Sequence, residues 1–251
     1  MKTLFSFILV CLASVQSFAD CGASGIYVWP ATNSSISEMP VITVEGYYID
    51  QELVRKIGKD YNLYLKSANH LVRLIPVEIL EGDMYLTQVV LKPVQLLKPD
   101  EEYELYTSSF PKKTTTIPET LELGIPKSKW TVRASNDKSA PVFTTTPKWI
   151  KSNIFYWGCG PGRSMKFEFE TKEVDNFLVR TTLTNTADSS KTTYYIAATE
   201  GIISVGHGMC SGAFIPKEDV KYKVEFSLLD GSWNKGKTVS CELVYKPENP
   251  Y

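Results

Sequence analysis

Met165-Lys166-Phe167-Glu168-Phe169-Glu170 alternates apolar and charged residues without a break. A strand turns successive side chains to opposite faces, so Met165, Phe167 and Phe169 share one face and Lys166, Glu168 and Glu170 the other. Lys221-Tyr222-Lys223-Val224-Glu225-Phe226 does the same. One face buried and one wet is the signature of antiparallel sheets. Further strands are expected at Asn153–Trp157, Phe177–Thr184, Thr192–Ala198 and Val239–Tyr245. Upstream, short alternating runs separated by turn residues predict strands near Ile26–Trp29, Val41–Glu45, Tyr61–Leu65, Leu71–Pro76, Met84–Leu91, Tyr103–Thr107 and Trp130–Ala134. Seven strands suffice for a simple immunoglobulin-type sandwich. Gln51 to Asp60 is the one helical candidate, and Gly58 limits it to a turn or two. The fold class is therefore all-β, with two tandem immunoglobulin-like β-sandwich domains.

The chain has 251 residues, 43% hydrophobic and 22% charged, which is enough apolar content for packed cores. Lys and Arg number 27 against 28 Asp and Glu, a net charge of -1, so no global basic excess favours nucleic acid or an anionic membrane surface. Lys2, the apolar run Leu4 to Val15 and the small residues Ser17 and Ala19 read as a secretory signal. Cleavage is expected after Ala19, and its loss leaves a mature balance of 26 against 28, or -2. No later stretch is long and apolar enough for a spanning helix. The expected location is secreted, periplasmic or associated with the cell surface. The expected division is signal peptide 1–19, first domain 20–135 and second domain 136–251. A Ser-, Thr-, Lys- and Pro-rich loop from Thr107 to Pro126 precedes the last strand of domain one. Asn136-Asp137-Lys138-Ser139-Ala140-Pro141 reads as a short linker that leaves the domains articulated.

Leu97-Lys98-Pro99-Asp100-Glu101-Glu102-Tyr103-Glu104-Leu105 resembles the corner that precedes a late strand in fibronectin type III and bacterial immunoglobulin-like domains. A Tyr there buries its ring while its hydroxyl bonds upstream backbone, pinning the crossover. In the second half Phe214-Ile215-Pro216 leads to Tyr222, where the Pro-to-Tyr spacing is six instead of four. Tyr103 and Tyr222 stand 119 residues apart, about one such domain, which suggests a diverged tandem pair. The chain also resembles exported two-domain bacterial proteins that open on a Cys-Gly-x-Ser-Gly segment, here Cys21-Gly22-Ala23-Ser24-Gly25. The resemblance implies a fold and a location and carries no catalytic residues with it.

Cys11 leaves with the signal, so Cys21, Cys159, Cys210 and Cys241 remain. An even count in an exported chain suggests two disulfides and allows three pairings. With the halves laid end to end Cys21 is poorly placed, so one bridge is expected in the second half, Cys159 to Cys210 ahead of Cys159 to Cys241. Asp20 separates Cys21 from the small residue that a lipid-attachment site resembles, which disfavours lipidation. Trp157-Gly158-Cys159-Gly160-Pro161-Gly162 and Gly206-His207-Gly208-Met209-Cys210-Ser211-Gly212 also admit a Cys–His nucleophile, because imidazole near a thiol generates thiolate. No third orienting residue is marked, and glycines around cysteine suit a bridge. A zinc set of His207 with Cys159, Cys210 and Cys241 has scattered ligands and no Cys-x-x-Cys. His70 reads as a strand-edge or loop residue. Glu101-Glu102 and Glu168 with Glu170 read as solvated faces and not as a glycosidase pair. No cofactor and no metal are expected.

Aromatics are in excess, with 14 Tyr, 11 Phe and 5 Trp. Phe155-Tyr156-Trp157 turns at least one ring outward if it is a strand, and Tyr47-Tyr48, Trp149 and Trp233 fall in expected loops. Tyr156, Trp157 and Trp233 are the candidate binding residues, to stack on a sugar or anchor a protein. The sequon Asn33-Ser34-Ser35 is expected by chance in a chain of this size. The expectation is a non-enzymatic exported binding or spacer module whose partner is a protein or a glycan. The alternatives are a carbohydrate-binding module using loop aromatics, and a Cys/His-dependent enzyme.

Overall fold

The computed structural model describes residues 24–107, 125–135, 137–158, 160–172 and 176–248. The expected signal, Cys21, most of the Thr107 to Pro126 loop, Asn136, Cys159 and the side chain of Trp157 lie outside the described residues.

The first half is an eight-stranded sheet folded over its own core. Its strands are β1 (Gly25–Trp29), β2 (Ser35–Ile36), β3 (Ile42–Tyr47), β4 (Leu63–Lys66), β5 (Leu71–Glu81), β6 (Leu86–Pro93), β7 (Glu102–Tyr106) and β8 (Lys129–Val132). They run in the order β1-β3-β6-β5-β4-β7-β8-β2, with β2 parallel to β8 and the other pairs antiparallel. One short helix, α1 (Gln51–Lys56), falls within the segment expected to be helical. Ile42, Val44, Leu65, Leu74, Val89, Leu91 and Trp130 fill the core between the layers. The indole N–H of Trp130 donates to the carbonyls of Pro30 and Ala31, both at 3.1 Å, which fixes the chain between β1 and β2.

The second half is a two-layer sandwich. Strands β9 (Phe143–Trp157), β10 (Gly160–Thr171), β11 (Phe177–Asn185), β12 (Lys191–Ile196), β13 (Ile202–His207), β14 (Lys221–Asp230) and β15 (Val239–Val244) form sheets β13-β10-β9 and β12-β11-β14-β15. The alternation of Met165 to Glu170 appears in the burial: Met165, Phe167 and Phe169 are inside, Glu168 and Glu170 outside. Phe167 meets Phe226 from the facing sheet edge-on, with centroids 4.9 Å apart. Two layers closed over one core, with these strand orders, make both halves immunoglobulin-like sandwiches.

The two crossovers share one geometry. The Tyr103 hydroxyl accepts the Lys98 N–H at 3.3 Å, and the Tyr222 hydroxyl accepts the Lys217 N–H at 2.9 Å. Asp100 and Asp219 both take a positive φ, of 63° and 58°, three residues before the tyrosine. Each then donates its N–H to the end of the last strand of its half, Asp100 to Val132 and Asp219 to Tyr245. Lys-x-Asp-x-x-Tyr is therefore the repeated unit, and the displaced Pro216 does not disturb it.

Several sequence expectations need correction. β2 and β13 were not expected: β2 has only two residues, and glycines mask the end of β13. β9 begins at Phe143, ten residues earlier than expected, so Trp149 lies in a strand and not in a loop. Articulation between the halves also fails. A six-residue linker looks flexible by itself, yet Val41, Leu80, Leu86 and Val90 of the first half are buried in the same apolar cluster as Leu178, Tyr194, Val205 and Phe214 of the second. Burying side chains of this size stabilises by about 1.5–3 kcal/mol each.

Hydrogen bonds lock the joint. Met84 and Gly212 exchange backbone bonds of 3.1 and 2.8 Å, and the Asp83 N–H donates to the Ala213 carbonyl at 3.0 Å. The Asp83 carboxylate accepts from the Thr192 hydroxyl and from the Ile215 N–H. At the centre, buried Gln88 on β6 donates to the Tyr195 carbonyl at 3.1 Å and accepts the Tyr195 N–H at 3.3 Å. Its amide thus pairs with the free edge of β12 as a neighbouring strand would. Gln88→Ala leaves both Tyr195 backbone groups unpaired away from water. A loss of about 2–4 kcal/mol is expected from urea unfolding. A loss under about 0.5 kcal/mol would take this role from Gln88.

Candidate functional site

The cross-strand pairs of the first sheet build the floor of a cleft at the joint. Tyr27 pairs with Glu45, which pairs with Gln88, so these three form one row across β1, β3 and β6. Trp29, Thr43 and Val90 form the next row. The second half supplies the opposite wall from β12 and from the loop after it.

Two cavities adjoin here and share Trp29 and Ala197. The larger, about 770 Å³, has a polar lining that includes Asn33, Ser34, Ser35, Ser37, Arg133 and Lys172, with Trp29, Pro30 and Phe177 as apolar walls. The Asn176 amide donates to the Ser35 carbonyl at 2.7 Å across it, and the Ser37 hydroxyl donates to the Gly231 carbonyl at 2.9 Å. The smaller, about 360 Å³, is lined by Tyr27, Trp29, Glu45, Gln88, Tyr194, Ile196, Ala197 and Ser204 among others. Both volumes fall in the range of small-molecule sites.

Glu45 is the unusual group. Burial pushes its carboxyl above the ordinary Glu range, while the Tyr194 hydroxyl and Gln88 amide partly offset this. Both offsetting groups are neutral. Gln88 reaches Glu45 at 3.4 Å, a long bond. The Tyr194 hydroxyl adjoins the carboxylate but is buried without a hydrogen bond of acceptable geometry. Nearby, Arg180 is spent on Glu78 at 3.0 Å and lies over the Tyr195 ring.

The residues singled out from sequence are not gathered in this cleft. Tyr156 projects outward near the end of β9, 58% exposed. Trp233 follows β14, at the opposite end of the sandwich, and is wedged into the joint: its indole N–H donates to the Pro40 carbonyl at 3.1 Å and Lys92 lies over its ring. Trp233 is partly buried and bridges the halves. Cys210 is disulfide-bonded and so supplies no thiolate. Cys241 is a free thiol on β15, half-buried, with burial raising its pKa. His207 ends β13, in the other sheet, its Nδ1 2.6 Å from the Gly208 carbonyl oxygen. Among the described residues no cluster of three His, Cys, Asp or Glu side chains could hold a metal ion. His70 lies in the loop before β5, 3.7 Å from Glu101.

Sequence reading missed the cleft, although a signal was present. Leu86-Thr87-Gln88-Val89-Val90-Leu91 is buried along both faces, whereas a sheet with one wet face alternates. Such a run marks a strand covered on both sides.

No family model matches the sequence, and no curated protein matches it. Among solved structures, the tandem Ig repeats of Dlar are similar over 90% of this chain and 100% of that one, at 10% identity and a TM-score of 0.26. Pullulanase of Anoxybacillus sp. LM18-11 complexed with maltotriose is similar over 86% of this chain and 25% of its own, at 12% identity and 0.26. Pullulanase type I of Bacillus subtilis complexed with maltose is similar over 84% and 24%, at 10% identity and 0.25. The chain thus spans about a quarter of the length of these pullulanases. Among the described residues no helix is long and apolar enough to cross a membrane.

The raised pKa of Glu45 fixes the sign of a pH effect. Its contribution to stability is full below the ordinary Glu pKa and is lost as pH rises through the folded value. Glu45→Gln should therefore match or exceed the parent in Tm at about pH 7.5, with the advantage fading on acidification to about pH 4. A variant far less stable at the higher pH would mean that Glu45 is well paired in the folded protein.

Proposed function

We propose that the protein is an exported, non-catalytic binding module whose two sandwiches are locked together to present the cleft at their joint to a partner at the cell surface or in the periplasm. The supporting observation is that both walls of the cleft are fixed by bonds across the joint, the buried pair between Gln88 and Tyr195 and the exposed bonds of Asp83 to Thr192 and Ile215. A rigid, preformed concavity loses little entropy when it is filled. The segment 1–19 serves as the export signal, and residues 20–135 and 136–251 form the two units.

Within this reading Cys159 is the partner of Cys210. Arg163 on β10 pairs with His207 on β13. Gly160 precedes Arg163 by three residues and Cys210 follows His207 by three, so Gly160 and the Gly208–Ser211 turn lie at the same end of the sheet. A non-reduced digest should give a Cys159–Cys210 peptide and a Cys241 thiol that reacts slowly until the protein unfolds. A fast-reacting thiol at Cys159 or Cys210 would restore the enzyme reading, and a Cys21–Cys210 peptide would overturn the pairing.

A glycan is the second reading, favoured by the hydroxyl and amide groups that surround Trp29 in the larger cavity. Ala197 is exposed where the cavities meet, so Ala197→Trp blocks both without touching either core. A glycan-array signal lost in Ala197→Trp supports this reading. A signal unchanged by that substitution, or none in the parent, removes it.

A further inference from the structure

The smaller cavity carries a feature that a general binding surface does not need. Glu45 is a carboxylate placed between two sandwiches, where burial disfavours its charge, and the groups that ease that charge are a tyrosine hydroxyl and an amide. A carboxylate in such a place normally has a cationic partner or becomes neutral. Beside it the Tyr194 hydroxyl, in a residue only 2% exposed, adjoins Glu45 without a well-formed hydrogen bond, and the residue lines a cavity roomy enough for a ligand. A buried polar group left unsatisfied calls for an explanation. The same cavity is lined by Trp29 and by Tyr27, whose ring stacks on that of Tyr47, and aromatic faces attract cations.

We propose that the smaller cavity is a site for an organic cation, a primary ammonium or guanidinium group, held by the Glu45 carboxylate and the Tyr194 phenolic oxygen between the rings of Tyr27 and Trp29. The carboxylate supplies charge and an acceptor, and the phenol a second acceptor. The rings enclose the methylene stem while their faces meet the charged head. Ser204, exposed on β13 at the cavity rim, offers a third oxygen. A neutral or anionic ligand of the same size would leave the Glu45 charge without a partner in a poorly solvated place. The site gives a chemical class to the cleft described above and rests on the reading of that cleft as a binding surface.

The test is a titration of the full mature chain with n-butylammonium and with capped Gly-Lys-Gly. Their neutral counterparts, 1-butanol and capped Gly-norleucine-Gly, serve as controls. Binding is read by saturation-transfer NMR and by tryptophan fluorescence, since Trp29 lines the site. Saturable binding of the cations is expected, at least about tenfold weaker in Glu45→Gln and unchanged in Tyr156→Ala. Equal affinity for the two cations identifies a free small amine as the ligand, and clear preference for the peptide identifies a lysine side chain of a partner. A circular-dichroism melt checks that Glu45→Gln is folded. Tyr194→Phe, which removes only the phenolic oxygen, gives an independent weakening. Neutral probes that bind as well as the cations, or cation binding that survives Glu45→Gln, would overturn the proposal. If neutral probes bind and Ala197→Trp abolishes the signal, the cleft stands as a binding surface and the cation class alone falls. If no probe binds, the cation site is rejected, and the glycan-array experiment judges the cleft separately.

Discussion

A β-sandwich is open along the side where its two sheets do not meet, and in the C-terminal half that side lies between β12 and β13. Both are edge strands, so their unpaired backbone groups and the apolar interior behind them would face water. The outer face of the N-terminal sheet covers this opening. Leu86 and Val90 complete the apolar filling, and the Gln88 amide takes the place of a missing strand against Tyr195. The rest of the architecture follows from this closure. The N-terminal sheet is buried on both faces along β6, the halves cannot articulate, and their joint has a fixed shape.

The closure is incomplete. Sheets twist, so a flat face and an open edge meet over part of their length and diverge beyond it. The space left over becomes the two cavities that meet at Trp29 and Ala197. Glu45 lies in the same row as Gln88, where the sheet passes from sealed joint to cavity. Gln88 is satisfied by the backbone it touches, whereas the strongest obligation of Glu45, its charge, is met by neutral groups alone. The same geometry that locks the halves therefore creates a place where a cation is the natural complement.

The crossovers show how a repeated local device fixes each half separately. In both, a tyrosine hydroxyl accepts an N–H from five residues upstream, and an aspartate with positive φ turns the chain between them. Lys98-Pro99-Asp100-Glu101-Glu102-Tyr103 and Lys217-Glu218-Asp219-Val220-Lys221-Tyr222 share the residues that perform this work. The prolines differ because neither donates nor accepts in the corner itself. Counting from proline to tyrosine measured the wrong interval.

The alternation of Met165 to Glu170 and of Lys221 to Phe226 determined, by itself, that the second half is antiparallel sheet, since a period of two fits only a strand with one dry face. The short runs of the first half likewise determined most of its strands, and Tyr103 its crossover. Tertiary structure alone decided what those strands do to one another. The burial of Leu86 to Leu91 on both faces, the pairing of Gln88 with Tyr195 and the exposure of Tyr156 against the partial burial of Trp233 depend on which face of one sandwich meets which edge of the other. These contacts join residues about a hundred positions apart, and a sequence pattern with a period of two records only which side of a strand is dry, not what dries it.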